Sequence, residues 1–287
     1  MPTPDETGIS NNGLHFSIYG KSGDPILAIH GLGASMYSWR EFLKEPRPFK
    51  DYQLILIDLK GAGDSPKPRD NNYSILTQRD LVLQFIRDRK FKNLTLIGNS
   101  YGGAVSLLLA IELCKKENNG VLSKLILLDS GGYNLRLPEH LRILRTPIVG
   151  WLAVHLLPPK QQAKKVLRDS YYDKHKITKP QIAEYARPIG LPGGRDALLK
   201  TGQQAIPDNF EEHIKLYPTI NVPTLILWGI DDEIIPVKIG LMLHMAISGS
   251  RLELINNCGH VPQEERPAET ICWIREFLGL PFEPCPK

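Results

Sequence analysis

"NLTLIGNSYGGAVSLLLA", Asn93 to Ala110, joins two hydrophobic patterns at one serine. A short apolar run of strand type stops at Gly98, and from Gly102 to Lys116 a helix-like stretch runs apolar early and charged late. Between them stands G-x-S-x-G, with Ser100 flanked by Gly98 and Gly102. A nucleophile on a tight strand-to-helix turn has strained backbone angles, and bulk two residues to either side would clash. The turn lifts the hydroxyl above the strand ends, where the free N–H groups of the next helix favour developing negative charge. A bare G-x-S-x-G string occurs by chance in many proteins, and a serine at a mere bend is the competing interpretation. The strand before it and the helix after it are the context that favours a nucleophile.

The same strand design recurs along the chain. "PILAIHGLG" (Pro25–Gly33), "YQLILIDLKGAGDS" (Tyr52–Ser65), "LSKLILLDSGG" (Leu122–Gly132), "PTLILWGIDD" (Pro223–Asp232) and "SRLELINNCGH" (Ser250–His260) are short apolar runs ended by turn residues. Continuous apolar runs mark strands buried on both faces, as in a parallel sheet. "GLHFSIYG" (Gly13–Gly20) alternates instead and ends at a turn signal. Helical stretches fall between the strands: Ile75–Lys90, the run after Ser100, and Arg266–Gly279, which has Pro267 near its start and Gly279 at its end. The alternation predicts a doubly wound, mostly parallel α/β sheet with helices on both faces. It fails from Gly131 to about Pro218, where amphipathic helical pieces and prolines replace strands. We therefore expect a core in two parts, residues 1–132 and 219–287, interrupted by a helical cap over residues 133–218.

Composition narrows the class. The 287 residues are 42% hydrophobic and 23% charged, ordinary for a globular protein, and the net charge of +4 is dispersed, which argues against a nucleic-acid partner. Cys114, Cys258, Cys272 and Cys285 form no CxxC pair or metal-ligand spacing, and are expected to be reduced thiols in a cytoplasmic protein. The N-terminus, "MPTPDETGISNNG", is polar and acidic without a signal-peptide pattern. The longest apolar-rich stretch, "TPIVGWLAVHLLPP" (Thr146–Pro159), contains His155 and falls short of the ~20 residues a spanning helix needs, so no membrane span is expected.

A serine nucleophile needs a base, and the base an orienting acid. Of the eight histidines, His15, His140, His155, His175, His213 and His244 lie in helical, cap or edge-strand patterns that suit surface or packing roles. His260 follows the last predicted strand, at the loop end where α/β sites gather. For the acid, "WGIDDEIIP" offers Asp231 and Asp232 after another strand, of which only one can face the imidazole, and Asp129 after "LILL" is a rival. In "IHGLG" (Ile29–Gly33) the glycines let backbone N–H groups approach a bound atom closely, which suits an oxyanion hole made by the N–H groups of Leu32 and Tyr101. His30 is read there as a structural hydrogen-bonding residue.

In chain order stand "HGLG", "DLKGAGDS", "GNSYGG", "GIDDEIIP" and "CGHVPQEERP". Together they resemble the serine α/β-hydrolase superfamily, in the branch of small capped esterases and meta-cleavage-product (carbon–carbon bond) hydrolases, over nearly the whole chain outside the cap. The resemblance implies an eight-stranded sheet with a helical lid after the sixth strand, Ser100 as nucleophile, His260 as base and Asp232 as the acid. Members with aspartate at the nucleophile position are dehalogenases or epoxide hydrolases, and Ser100 argues against these. The "DLKGAGDS" turn is read as mainly structural. The resemblance departs at two points from the carbon–carbon bond hydrolases: Val261 stands where they carry Trp after the histidine, and Arg187 only loosely matches their cap arginine.

The expected chemistry is acyl transfer from a small to medium apolar carboxylic ester through an acyl-enzyme, with no cofactor or metal, in a monomer or homodimer. Tyr133, Leu137, Trp151, Leu152, Leu156 and Tyr185 are the candidate pocket residues, an apolar and aromatic set that suits an apolar acyl group. Carbon–carbon bond hydrolysis is the alternative within the fold, and a slow-turnover ligand receptor the alternative outside catalysis.

Overall fold

The computed structural model describes residues 1–44, 47–133 and 139–281. Eight strands form one sheet in the order β1-β2-β4-β3-β5-β6-β7-β8. They are β1 (Glu6–Ile9), β2 (His15–Tyr19), β3 (Pro25–Ile29), β4 (Gln53–Asp58), β5 (Leu94–Asn99), β6 (Leu122–Leu128), β7 (Thr224–Gly229) and β8 (Arg251–Ile255). β2 runs antiparallel to both of its neighbours, and every pair from β4 across to β8 is parallel. The strands β3, β5 and β7 are buried at every position, as their unbroken apolar runs predict. β1 was not foreseen. It is a short, mostly exposed edge strand, Glu-Thr-Gly-Ile, held by pairing to β2 from Glu6↔Ile18 to Ile9↔His15.

The helices, in chain order, are α1 (Ile75–Asp88), α2 (Tyr101–Leu113), α3 (Glu139–Arg145), α4 (Pro147–Leu156), α5 (Pro159–Ser170), α6 (Lys179–Gly190), α7 (Gly194–Gln203), α8 (Phe210–Ile214), α9 (Lys238–Ala246), α10 (Pro262–Glu265) and α11 (Pro267–Leu278). Two hydrophobic layers sandwich the sheet. One packs α1, α2 and α9 on it, around residues such as Phe85, Leu107 and Leu243. The other packs α11 and a 3₁₀ helix, Met36–Leu43, on it through Trp39, Phe42, Ile274 and Leu278. α11 ends at Gly279, whose left-handed φ of 75° closes the helix where the sequence placed its end.

Between β6 and β7 the described residues form helices and no strand. This insertion, α3 to α8, has its own small cores: Ala163, Leu167, Tyr171, Tyr185 and Ala186 with Val261 of the main body, and Leu144, Val154 and Leu199. Its Thr178 forms a capping box with Gln181, which fixes the start of α6.

Among the described residues no helix is long and apolar enough to cross a membrane. Cys114 and Cys258 are free thiols, but Cys272 is disulfide-bonded. The expectation of four reduced thiols is thus corrected at Cys272. Disulfides are rare in reducing compartments, so cysteine usage no longer argues for the cytoplasm.

Candidate active site

All the parallel strands present their C-terminal ends to one edge of the sheet, and loops leaving five of them meet there. Ser100 follows β5, Asp129 follows β6, Asp232 follows β7, His260 follows β8 and Leu32 follows β3. Such an edge is where open α/β sheets bind their ligands.

Ser100 has φ 56° and ψ −119°, a backbone state that costs a non-glycine residue about 1–3 kcal/mol. Its surroundings enforce it. The Ser100 N–H donates to Leu128 O at 3.0 Å, and Ser100 O accepts from Ala104 N at 3.1 Å and Gly131 N at 2.9 Å. A Cβ on Gly98 would lie 2.4 Å from Gly102 O, and one on Gly102 would lie 2.2 Å from Ile29 O. Gly98 is therefore required within the turn itself, and Gly102 for the turn to pack against β3.

The Ser100 hydroxyl lies 2.7 Å from His260 Nε2, and His260 Nδ1 lies 2.7 Å from Asp232 Oδ2. The other Asp232 oxygen, Oδ1, accepts the N–H groups of Ile234 at 2.7 Å and Ile235 at 3.0 Å. Those bonds fix the carboxylate orientation, and because a carboxylate only accepts, the ring donates to it from Nδ1. Nε2 is then left as the acceptor for the hydroxyl. Asp231 is half-buried, and its N–H donates to Cys258 O at 3.0 Å.

Asp129 sits inside this group, next to Asp232. It is fully buried with φ 41°. Its Oδ1 accepts Gly229 N–H at 2.9 Å, and its carboxyl group stands against that of Asp232. Single ligand atoms of Asp129, Asp232 and His260 lie within 4.8 Å of one another. Burial, and then the negative charge of Asp232, raise the Asp129 pKa well above the usual carboxylate range. The described hydrogen bonds already engage both oxygens of Asp232 and both ring nitrogens of His260, which suits a proton relay better than metal ligation.

Tyr101 opens α2, so its N–H has no carbonyl one turn earlier in the helix. The loop carrying Leu32 passes beside the serine, since a Cβ on Gly31 would be 3.2 Å from Ser100 Cβ. His30 braces that loop. Leu59 N–H donates to its Nε2 at 3.1 Å, so Nδ1 carries the proton and donates to Gly31 O at 2.8 Å. Burial lowers the His30 pKa and keeps the ring neutral.

Several supports carried no assignment in the sequence. Asn99 Nδ2 donates to His260 O at 3.1 Å and Leu128 O at 3.1 Å, tying the histidine loop to the serine turn. The His260 N–H donates to Ser170 O at 2.7 Å, at the end of α5. Glu264 and Glu265, inside the "CGHVPQEERP" motif, hold the insertion. Glu264 is buried among Arg40, Tyr171, Gln181 and Tyr185, all bonded to its carboxylate. In the "DLKGAGDS" turn, Asp58 accepts from Met36 N at 2.8 Å and Asp64 N at 2.9 Å, a structural brace.

A cavity of about 400 Å³ lies between the insertion and the main body. Its lining is mostly apolar and includes Leu32, Gly33, Ala153, Val154, Tyr185 and Leu198, with Lys165 and Asp169 among its polar members. Of the expected pocket residues only Tyr185 lines it, and the Tyr185 hydroxyl donates to Glu264. Trp151, Leu152 and Leu156 point outward from α4 into solvent and do not line the cavity. Tyr133 packs edge-on against Tyr217, with ring centroids 5.7 Å apart, at the main core. Leu137 lies outside the described residues. Arg187 is an exposed partner of Asp64, at 2.6 Å and 3.0 Å, and is absent from the cavity wall.

A family model described as the alpha/beta hydrolase fold matches residues 24–267. The chain belongs to the α/β-hydrolase family. An uncharacterized hydrolase, YugF, of Bacillus subtilis is 30% identical over 259 residues, which span 88% of this chain and 89% of the relative. Lipase 1 of Psychrobacter immobilis is 28% identical over 264 residues, spanning 90% of this chain and 78% of the relative. A solved meta-cleavage product hydrolase from Pseudomonas fluorescens IP01 superposes with a TM-score of 0.76 at 21% identity, covering 96% of this chain and 98% of that one. At that identity the likeness speaks for the fold. Hydrolysis is common to these relatives, and the chain is a hydrolase; the bond it cuts is a separate question.

Proposed function

We propose that the chain is a serine hydrolase of small to medium apolar carboxylic esters, working through an acyl-enzyme. The unbroken relay from Asp232 through His260 to Ser100, with both contacts at 2.7 Å, carries this reading. His260 Nε2 takes the hydroxyl proton as Ser100 Oγ attacks the ester carbonyl. The Leu32 and Tyr101 N–H groups receive the oxyanion, and Asp232 stabilises the imidazolium. The imidazolium returns its proton to the departing alkoxide oxygen. A water, deprotonated by His260, then attacks the acyl-enzyme, the acid leaves, and Ser100 recovers its proton. No step calls on a metal or cofactor. Residues 133–218 act in this reading as a cap whose apolar cavity receives the acyl chain.

Two placements favour an ester over the carbon–carbon substrate. Val261 fills the position after the histidine and packs in the insertion core, and Arg187 is committed to Asp64 outside the cavity. A p-nitrophenyl ester series run beside a vinylogous 1,5-diketone tests the choice. The expected result is ester turnover with a burst of one equivalent and little diketone cleavage. Ser100→Ala should lower kcat by at least about 10⁴-fold with the fold intact; near-normal activity in that variant would remove the assignment.

A further inference from the structure

We propose that the outer face of α4 docks the protein onto an anionic lipid surface. The proposal extends the ester reading, because it places the apolar cavity directly behind a lipid-facing helix. α4 reads PIVGWLAVHL and is apolar around its whole circumference except at His155. A helix apolar on every face is normally buried or set in a membrane. α4 is neither. Its inner residues Ala153 and Val154 line the cavity, and its outer residues are bare: Ile148 is 75% exposed, Leu156 68% and Trp151 49%. At 100° per residue, Trp151, Ile148, Leu152, Leu156 and Val149 span an arc of about 160°. The one polar side chain does not break this face. His155 stacks on Trp151 with ring centroids 4.7 Å apart, and its Nε2 lies 3.1 Å from Asp196.

Charge selects the partner. Residues 139–170, which make α3 to α5, hold six Lys and Arg against two Asp and Glu, so this segment alone matches the +4 of the whole chain. Arg142, Arg145, Lys160, Lys164, Lys165 and Arg168 are all exposed. They sit on the helices beside α4, with α5 joined to it through Gln162 Nε2 on Val154 O at 2.9 Å. An apolar helix face flanked by cations suits the headgroup region of a bilayer bearing anionic lipid. A second copy of this chain would instead oppose like charges across the same face. With 10 residues α4 can lie in the interface and cannot span it.

The test uses the full chain carrying Ser100→Ala, so that binding is read without hydrolysis, in co-sedimentation with vesicles. Phosphatidylcholine vesicles are compared with vesicles that also contain phosphatidylglycerol. Binding at least about tenfold tighter to the anionic vesicles, weakened by salt, is expected. Ile148→Asn with Val149→Asn, and separately Lys160→Glu with Lys164→Glu, should each cost about tenfold or more. In the Ser100 background both pairs should leave p-nitrophenyl acetate turnover unchanged. Equal, negligible sedimentation with both vesicle types overturns the proposal. So does a dimer in light scattering that the apolar pair dissociates while vesicle binding stays absent. Failure of the ester reading would be separate, since it would abolish turnover and leave sedimentation as described.

Discussion

Glu265 accepts the N–H of Gly259, the residue before His260, at 2.8 Å. The same carboxylate accepts Tyr172 N–H at 3.1 Å and Asp173 N–H at 2.6 Å, just after α5. One buried side chain thus clamps the histidine loop to the insertion. Glutamine at this position would offer one acceptor and turn an N–H₂ group against a backbone N–H. Leaving such a group unsatisfied costs about 1–3 kcal/mol. Glu265→Gln should lower the melting temperature by several degrees and kcat by about tenfold, with KM less affected, because the ring of His260 shifts relative to Ser100. Thermal melts and steady-state kinetics on one preparation check it; unchanged kcat in a destabilised variant would leave Glu265 as a purely structural clamp.

The neighbouring Glu264 works on a different pair. Arg40 donates to it from the main body, while Tyr171, Gln181 and Tyr185 donate from the insertion. Burial works against the Arg40 charge, but Glu264 beside it outweighs that and holds the guanidinium pKa above its ordinary value. Removing one partner of a buried pair leaves an uncompensated charge, at a cost of about 3–5 kcal/mol. Glu264→Gln alone should therefore destabilise strongly. Adding Arg40→Met should recover a large part of that loss. A double-mutant cycle in urea reads the coupling, and additive losses would contradict it.

The sheet and the serine turn were legible because both rest on short-range patterns. The strands β3, β5 and β7 are buried on both faces and read as unbroken apolar runs, and Gly98 and Gly102 bracket the turn that their missing side chains permit. His260 was legible from its place after the last strand, whereas strand ends alone left Asp231, Asp232 and Asp129 open as the acid and only the family resemblance pointed to Asp232. The cavity was not legible. In α4 every face is apolar, so hydrophobicity could not tell Ala153 and Val154, which line the cavity, from Trp151, Leu152 and Leu156, which face outward. Asn99 and Glu265 escaped assignment because their partners are backbone groups far along the chain, at His260 O and at Tyr172 and Asp173 N–H. Edge strand β1 is specified by pairing to β2, and its four residues, with Ile9 the one large apolar side chain, are too few to announce a strand.

Asp129 gives a prediction in pH. Its folded-state pKa is raised by burial and by Asp232, so the native protein holds a proton that the unfolded chain gives up near the ordinary carboxylate value. The stabilising contribution of that proton is complete below the unfolded pKa and is lost as pH rises toward the folded one. Asp129→Asn keeps an acceptor for Gly229 N–H and cannot ionise. The variant should gain stability relative to the parent as pH rises from about 5 to 8, and the gap should close toward pH 4. Its kcat should stay within a few-fold, whereas Asp232→Asn should lose about 10⁴-fold. Urea unfolding across that range decides it: a constant gap would mean that Asp129 is already ionised in the native state.

Acyl-chain preference follows from the lining of the cavity. Ala153 lines the ~400 Å³ space from α4, and Leu32, on the loop that passes beside the serine turn, lines it as well. Each methylene buried there contributes about 0.8 kcal/mol, so the parent should favour longer esters over acetate until the cavity is full. Ala153→Phe would occupy part of that volume without touching Ser100, His260 or Asp232. In that variant kcat/KM for the octanoate ester should fall by about 10–100-fold while the acetate ester changes less than about threefold. Chain-length profiles of p-nitrophenyl esters for the two proteins read the effect directly. A parallel drop for every chain length would show that the acyl group lies elsewhere and that the substitution disturbs the relay itself.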